Sequence, residues 1–246
     1  MKLVIAFLKT FFRNRRAIFF VIMLPAAIFL ILATFGVEKV LDFKSQLSYT
    51  DFLLPGIIAY ALTQTGIYTV GYTIIDYKRQ NILKRLSVTP LSAGKFLQAQ
   101  STARFLVALL QAGILLALGA GLFGARFSAQ IFLLPFIILI GCVIFLNFGY
   151  FIASLTRDYE EAAPYTTIVG LTLGFLGDVF FPINNLPAVL QQVAAVLPLK
   201  PLTSAMRYAL YGIGSENFVS NIVILVIWLV ATLYISKLIF ERKAYR

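Results

Sequence analysis

Six stretches of this chain contain no Asp, Glu, Lys or Arg: Ala17 to Phe35, Phe52 to Ile75, Phe105 to Ala125, Phe127 to Thr156, Val179 to Leu199 and Asn217 to Tyr234. A hydrocarbon core ~30 Å thick takes ~20 apolar residues wound as a helix, so each stretch is long enough to span or nearly span a bilayer. Ala162 to Gly177 is a shorter seventh. At 60% hydrophobic and 13% charged, the 246 residues exclude most soluble folds and point to an all-α membrane protein. The longest polar stretch left, Asp76 to Arg104, is too short to fold as an enzymatic module of ordinary size. Chemistry that needs such a module must come from elsewhere.

The formal charge of +11 would suggest a nucleic-acid partner in a soluble protein, but here position decides. With the amino terminus inside and six crossings, 16 of the 21 Lys and Arg residues fall on the cytoplasmic side. Only Lys39, Lys44, Arg126, Lys200 and Arg207 fall outside. That is the positive-inside distribution, and it predicts both termini in the cytoplasm with no nucleic-acid binding. A seventh crossing at Val179 to Leu199 would spoil the asymmetry. Pro182, Pro187, Pro198 and Pro201 leave only the residues from Pro187 to Leu197 for an unbroken helix there, about half a bilayer. The segment reads as a re-entrant hairpin from outside or as an amphipathic helix on the surface.

Residues 1–16 place Leu3, Val4, Phe7, Leu8, Phe11 and Phe12 on one helical face, with Lys2, Lys9, Arg13 and Arg16 opposite. This is the pattern of an elbow helix lying in the membrane interface, serving as an anchor or touching a cytoplasmic partner. The apolar run that follows exceeds that of a signal peptide, so it is expected to be retained as a span. Between the second and third spans, Thr89 and Pro90 form a capping pair that opens a helix leading into the third span. The segment 76–104 is either a compact lever fixed to two spans or a basic hairpin that enforces topology.

The chain has one cysteine, Cys142, and no histidine, so a disulfide, a zinc site or a histidine base cannot form within it. Gly119 to Gly124 spells GxGxxG, but no strand is expected before it. The phosphate-cradling GxxxxGK(S/T) is absent, so no catalytic residue and no bound cofactor are assigned to this chain. No ionisable side chain sits at the midpoint of a span, which argues against proton relays and carboxylate-based membrane enzymes. What the spans do hold is a semi-polar stripe: Tyr60, Gln64, Tyr68 and Tyr72 recur at i+4, with Thr65, Thr69 and Thr73 beside them. Facing lipid it would leave Gln64 unpaired, so it faces another helix or a substrate pathway. Gly170, Gly174 and Gly177 form a small-residue face suited to close helix approach at a dimer interface.

These residues resemble the permease subunits of bacterial ABC-2 type exporters over nearly the whole chain. The likeness rests on the basic elbow helix, on the run Ile82 to Ser92, and on PhePheProIleAsnAsnLeuPro from Phe180 to Pro187 followed by Leu197 to Pro201 and Ala205 to Arg207. The chain departs from the family pattern at Gln80 and Asn81, where an acid and a glycine are common. The resemblance implies one transmembrane domain over 1–246: six transmembrane helices, an interfacial elbow over 1–16, a cytoplasmic coupling segment over 76–104, and an external re-entrant helical hairpin over 179–211 between helices 5 and 6. It assigns Arg79, Ile82, Leu83, Lys84, Arg85, Leu86, Thr89 and Pro90 to coupling, and Phe181, Pro182, Pro187, Pro198 and Arg207 to the hairpin. It implies a homodimer or a pseudo-dimer with a related permease in the cytoplasmic membrane, served by two ABC ATP-binding subunits that hold ATP and Mg. The cargo expected is a hydrophobic or amphipathic molecule, drug or lipid-like. A polysaccharide, a lipid-linked glycan or an ion is the alternative, as is a partner-independent channel or secondary carrier.

Overall fold

The computed structural model describes residues 2–35, 47–80 and 93–244, and every regular element among them is helical. Helix α1 is Lys2–Arg13 and α2 is Arg15–Thr34, with a π-helical turn at Phe19–Met23. Helix α3 runs Tyr49–Gln64, then as a π helix over Thr65–Val70, then Gly71–Arg79. Helix α4 is Ala93–Phe123, and α5 is Leu134–Leu155, led in by the 3-10 turn Ala129–Leu133. Then come α6 (Tyr159–Leu176), α7 (Ala188–Val196), α8 (Leu199–Tyr211) and α9 (Ser215–Ala244).

The elbow helix expected over residues 1–16 ends earlier, at Arg13. Asn14 leaves helical dihedrals (φ −91°, ψ 94°), and its side-chain oxygen accepts the Ala17 amide at 3.1 Å, which caps α2. The bend lets α1 lie along the start of α4, where the rings of Phe7 and Phe96 meet edge-on at 5.3 Å. GxGxxG proves to be the end of α4, with Gly124 in the left-handed conformation at φ 68° just beyond its last turn.

Five described helices are long and apolar enough to cross a membrane: Arg15–Thr34, Tyr49–Tyr77, Gln98–Phe123, Ala129–Leu155 and Ser215–Ser236. That is one fewer than the six expected. Helix α6 falls short because its 18 residues open on Glu160 and Glu161, leaving fewer apolar turns than a full crossing takes. These acids complete a cap: Asp158 accepts the Glu161 amide at 2.9 Å and Glu161 accepts the Arg157 amide at 2.8 Å.

The centre of the bundle is α3, nearly every residue of which from Phe52 to Thr63 is buried. It packs against α4, α5 and α8, while α2 and α9 turn much of their apolar surface outward. That outward surface suits lipid, in which helices associate by close packing and polar contacts rather than by a hydrophobic drive. Gly66 carries this furthest. An added Cβ there would sit 2.5 Å from the Phe145 carbonyl oxygen and 2.6 Å from Phe145 Cβ. Gly149 likewise faces the Gly66 carbonyl, so α3 and α5 cross backbone to backbone.

The region 179–211 holds two helices, α7 and α8, joined at Leu197 and Pro198. Helix α8 is buried along Leu199, Leu202, Met206 and Leu210 and closes on Gly212, whose φ of 72° is the left-handed cap that glycine favours. Its 13 residues reach only about 20 Å. It packs instead among α3, α5 and α9.

Candidate functional site

The semi-polar stripe of α3 faces α6. Tyr72 Oη and Thr166 Oγ1 lie 3.2 Å apart, and the Tyr72 and Tyr159 rings meet at 5.5 Å. Tyr68 lies beside Thr167, and Tyr60 lies beside Gln64 of its own helix. All four stripe side chains are half-buried. The π segment keeps them aligned. In an α-helix each i+4 step overshoots a full turn by about 40°, whereas an i→i+5 turn takes more than four residues and the step falls short, cancelling the drift.

Gly170 and Gly174 are the surfaces these rings rest on. A Cβ at Gly170 would lie 2.5 Å from Tyr68 Oη, and one at Gly174 would lie 3.0 Å from Tyr60 Cε2. A Cβ at Gly177 would lie 2.5 Å from Leu199 Cδ2. The face expected at a dimer interface is therefore filled from within the subunit, because the tyrosines of α3 need a side-chain-free surface to approach α6.

Beyond α6 stands a feature the sequence reading missed. Asp178, just beyond the end of α6, is ion-paired with Arg207 of α8, and the two side chains are only 13% and 10% exposed. Arg207 Nη1 donates to Asp178 Oδ2, and Nη2 donates to the Asp178 carbonyl and, at 3.4 Å, to that of Phe52. The guanidinium carbon lies 3.8 Å from the Phe52 ring centroid. Asp178 Oδ1 also accepts the Ile183 amide at 2.8 Å, a local bond that holds Asp178 at φ 57°. Burial lowers the affinity of Arg207 for its proton and Asp178 opposes the effect. The pair pins the segment after α6 to α8 and to the start of α3.

The other hairpin residues flank this pair. Pro182 precedes the 3-10 turn Ile183–Asn185, Pro187 precedes α7 and Pro198 precedes α8. Phe181 packs on Phe175 with ring centroids 6.2 Å apart. Trp228 Nε1 donates to the Val196 carbonyl at 2.7 Å, tying the end of α7 to α9.

At the opposite end of α3, Arg79 is exposed, with its guanidinium carbon 5.5 Å from the Tyr159 ring centroid. Tyr159 thus stands near both Arg79 and Asp76. The remaining coupling residues, Ile82, Leu83, Lys84, Arg85, Leu86, Thr89 and Pro90, lie outside the described residues.

Comparison with known proteins adds an independent line. A family model described as "ABC-2 family transporter protein" matches residues 31–237. Nodulation protein J of Rhizobium leguminosarum bv. viciae is 28% identical over 201 residues, covering 81% of this chain and 77% of the relative. The probable multidrug ABC transporter permease YbhR of Escherichia coli K12 is 24% identical over 179 residues, 73% of this chain but 49% of that longer protein. The putative transport permease YvfS of Bacillus subtilis 168 is 23% identical over 240 residues, covering 97% and 96%.

Proposed function

The chain belongs to the ABC-2 family of transporter proteins, and on that footing we propose that it is the membrane-spanning subunit of an ATP-driven bacterial exporter that moves a hydrophobic or amphipathic molecule out of the cytoplasm. It is a multi-pass membrane protein, and its relatives are transport permeases. ATP is hydrolysed by separate ATP-binding subunits, two per assembly, which hold ATP and Mg. The absence of a phosphate loop from these 246 residues supports this reading. The permease pairs with a second copy or a related permease in the inner membrane, α6 serves as its fifth span, both termini lie in the cytoplasm, and α7 and α8 form the external re-entrant hairpin.

The observation that carries the substrate reading is the half-buried face of Tyr60, Gln64, Tyr68 and Tyr72 on the central helix α3. Aromatic rings and hydroxyls on one face suit a cargo with an apolar body and a few polar groups. The "multidrug" in the name of the Escherichia coli relative supports the same class.

Two measurements test this reading. In a Cys142→Ser background, single cysteines introduced by Lys9→Cys and Arg246→Cys are expected to react with a membrane-impermeant maleimide only after permeabilisation. Ser215→Cys is expected to react in intact cells, and reversed labelling would overturn the topology. For coupling, Lys84→Glu with Arg85→Glu is expected to abolish substrate-stimulated ATPase activity of the assembled transporter while leaving the permease inserted. Unchanged stimulation would remove the segment from the coupling path. Transport by the purified chain without ATP or a partner would instead support a channel or carrier.

A further inference from the structure

A cavity of about 210 Å³ opens between α1, the end of α3 and the first turns of α4, with room for about seven waters. Phe7 and Phe11 give it an apolar side, and Gln100, Arg104, Asp76 and Tyr77 give it a polar one. Gln100 is only 1% exposed, yet neither its Nε2 nor its Oε1 has a hydrogen-bond partner. Arg104 Nη1 is also buried without a partner, while the guanidinium carbon lies 5.7 Å from the centroid of the Phe11 ring. Two donor groups and one acceptor thus stand unsatisfied at one place, and buried polar groups are rarely left so.

Depth and charge narrow the occupant. Gln100 and Arg104 are one turn apart near the start of the span Gln98–Phe123, at the end where basic residues concentrate and where headgroups of the cytoplasmic leaflet lie. The amphipathic α1 roofs the cavity with the apolar side chains of Phe7, Leu8 and Phe11, beside which acyl chains can begin. Asp76, which stands near Tyr159, lines the same cavity as Arg104. One cation and one anion together fit a zwitterion, whereas a purely anionic group would meet the Asp76 carboxylate.

We propose that this cavity is a binding site for the phosphoethanolamine headgroup of a cytoplasmic-leaflet phospholipid. Arg104 Nη1 and Gln100 Nε2 donate to the phosphate, and Gln100 Oε1 and Asp76 accept from the ammonium. A quaternary ammonium has no N–H for those acceptors, so phosphatidylcholine satisfies only half of the site. The site stands on its own geometry and does not depend on which cargo the protein moves.

The test is native mass spectrometry of the delipidated full chain with equimolar phosphatidylethanolamine, phosphatidylcholine and phosphatidylglycerol of identical acyl chains, with thermal unfolding measured in parallel. One phosphatidylethanolamine per chain is expected to be retained about tenfold over the other two, roughly the effect of one charge-assisted hydrogen bond. Gln100→Leu is expected to abolish that preference while holding or raising the lipid-free unfolding temperature, since it removes an unpaired amide from the interior. Equal retention of the three lipids, or unchanged preference in Gln100→Leu, would overturn the site. Stabilisation by inorganic phosphate alone equal to that by phosphatidylethanolamine would overturn the lipid assignment.

Discussion

Arg207→Met is expected to destabilise the protein by about 3–5 kcal/mol, the range seen when one member of a buried ion pair is removed. The size follows from what is left behind. Asp178 keeps the Ile183 amide but loses both guanidinium bonds, and the Phe52 carbonyl loses one long contact at 3.4 Å. Asp178→Asn is expected to be equally damaging, because it strands a charged guanidinium in a pocket where both side chains are almost hidden. The double variant Arg207→Met with Asp178→Asn should recover part of the loss, since no lone charge remains. Denaturation of the purified protein in detergent, scored by the monodisperse fraction after heating, measures all three. Single variants as stable as the parent would show that the pair does not hold α8 to the segment after α6.

Gly66→Ala is expected to be among the most damaging single methyl additions at the described residues. Its new Cβ meets Phe145 backbone and Cβ, which can yield only if α3 and α5 move apart, so the cost should reach or exceed the upper end of the usual ~1–3 kcal/mol for overpacking. Two other glycines serve as internal controls. At Gly71 the nearest atom to an added Cβ is the Gly149 carbonyl oxygen at 3.4 Å, a contact the helix can accommodate. At Gly113 nothing lies within 4 Å, and alanine should be neutral or stabilising by up to ~1 kcal/mol through its helix propensity. The order Gly66, Gly71, Gly113 in loss of thermal stability is the measurable outcome. A Gly66→Ala protein that matches Gly113→Ala would refute the backbone-to-backbone crossing.

Much of the architecture is written in the chain as runs without charge. A stretch such as Phe127 to Thr156 can be little other than a buried or lipid-facing helix, and α5 lies within it. The prolines around Phe180 to Pro201 likewise mark where helices start, because proline suits a first turn and interrupts later ones. Pairing is what the sequence hides. Asp178 and Arg207 are 29 residues apart, and either alone reads as an ordinary interfacial charge. The glycine face of α6 was legible as a close-packing surface, but not its occupant, since the pattern shared by Gly170 and Gly174 does not distinguish a neighbouring span from a second copy. The π turns had no signature at all. One of them lends its Val21 carbonyl to Gln111 Nε2 at 2.5 Å, a bond between α2 and α4 that only the folded chain displays.

The wide turn at Thr65–Val70 makes the number of residues in that stretch matter more than their kind. Wound as an ordinary α-helix with every residue kept, the same stretch would swing everything downstream by about 100° about the axis. Tyr72 would then leave Thr166, while Tyr60 and Gln64 kept their places. By absorbing one surplus residue, the wide turn lets one unbroken rod present both of its halves to the same neighbour.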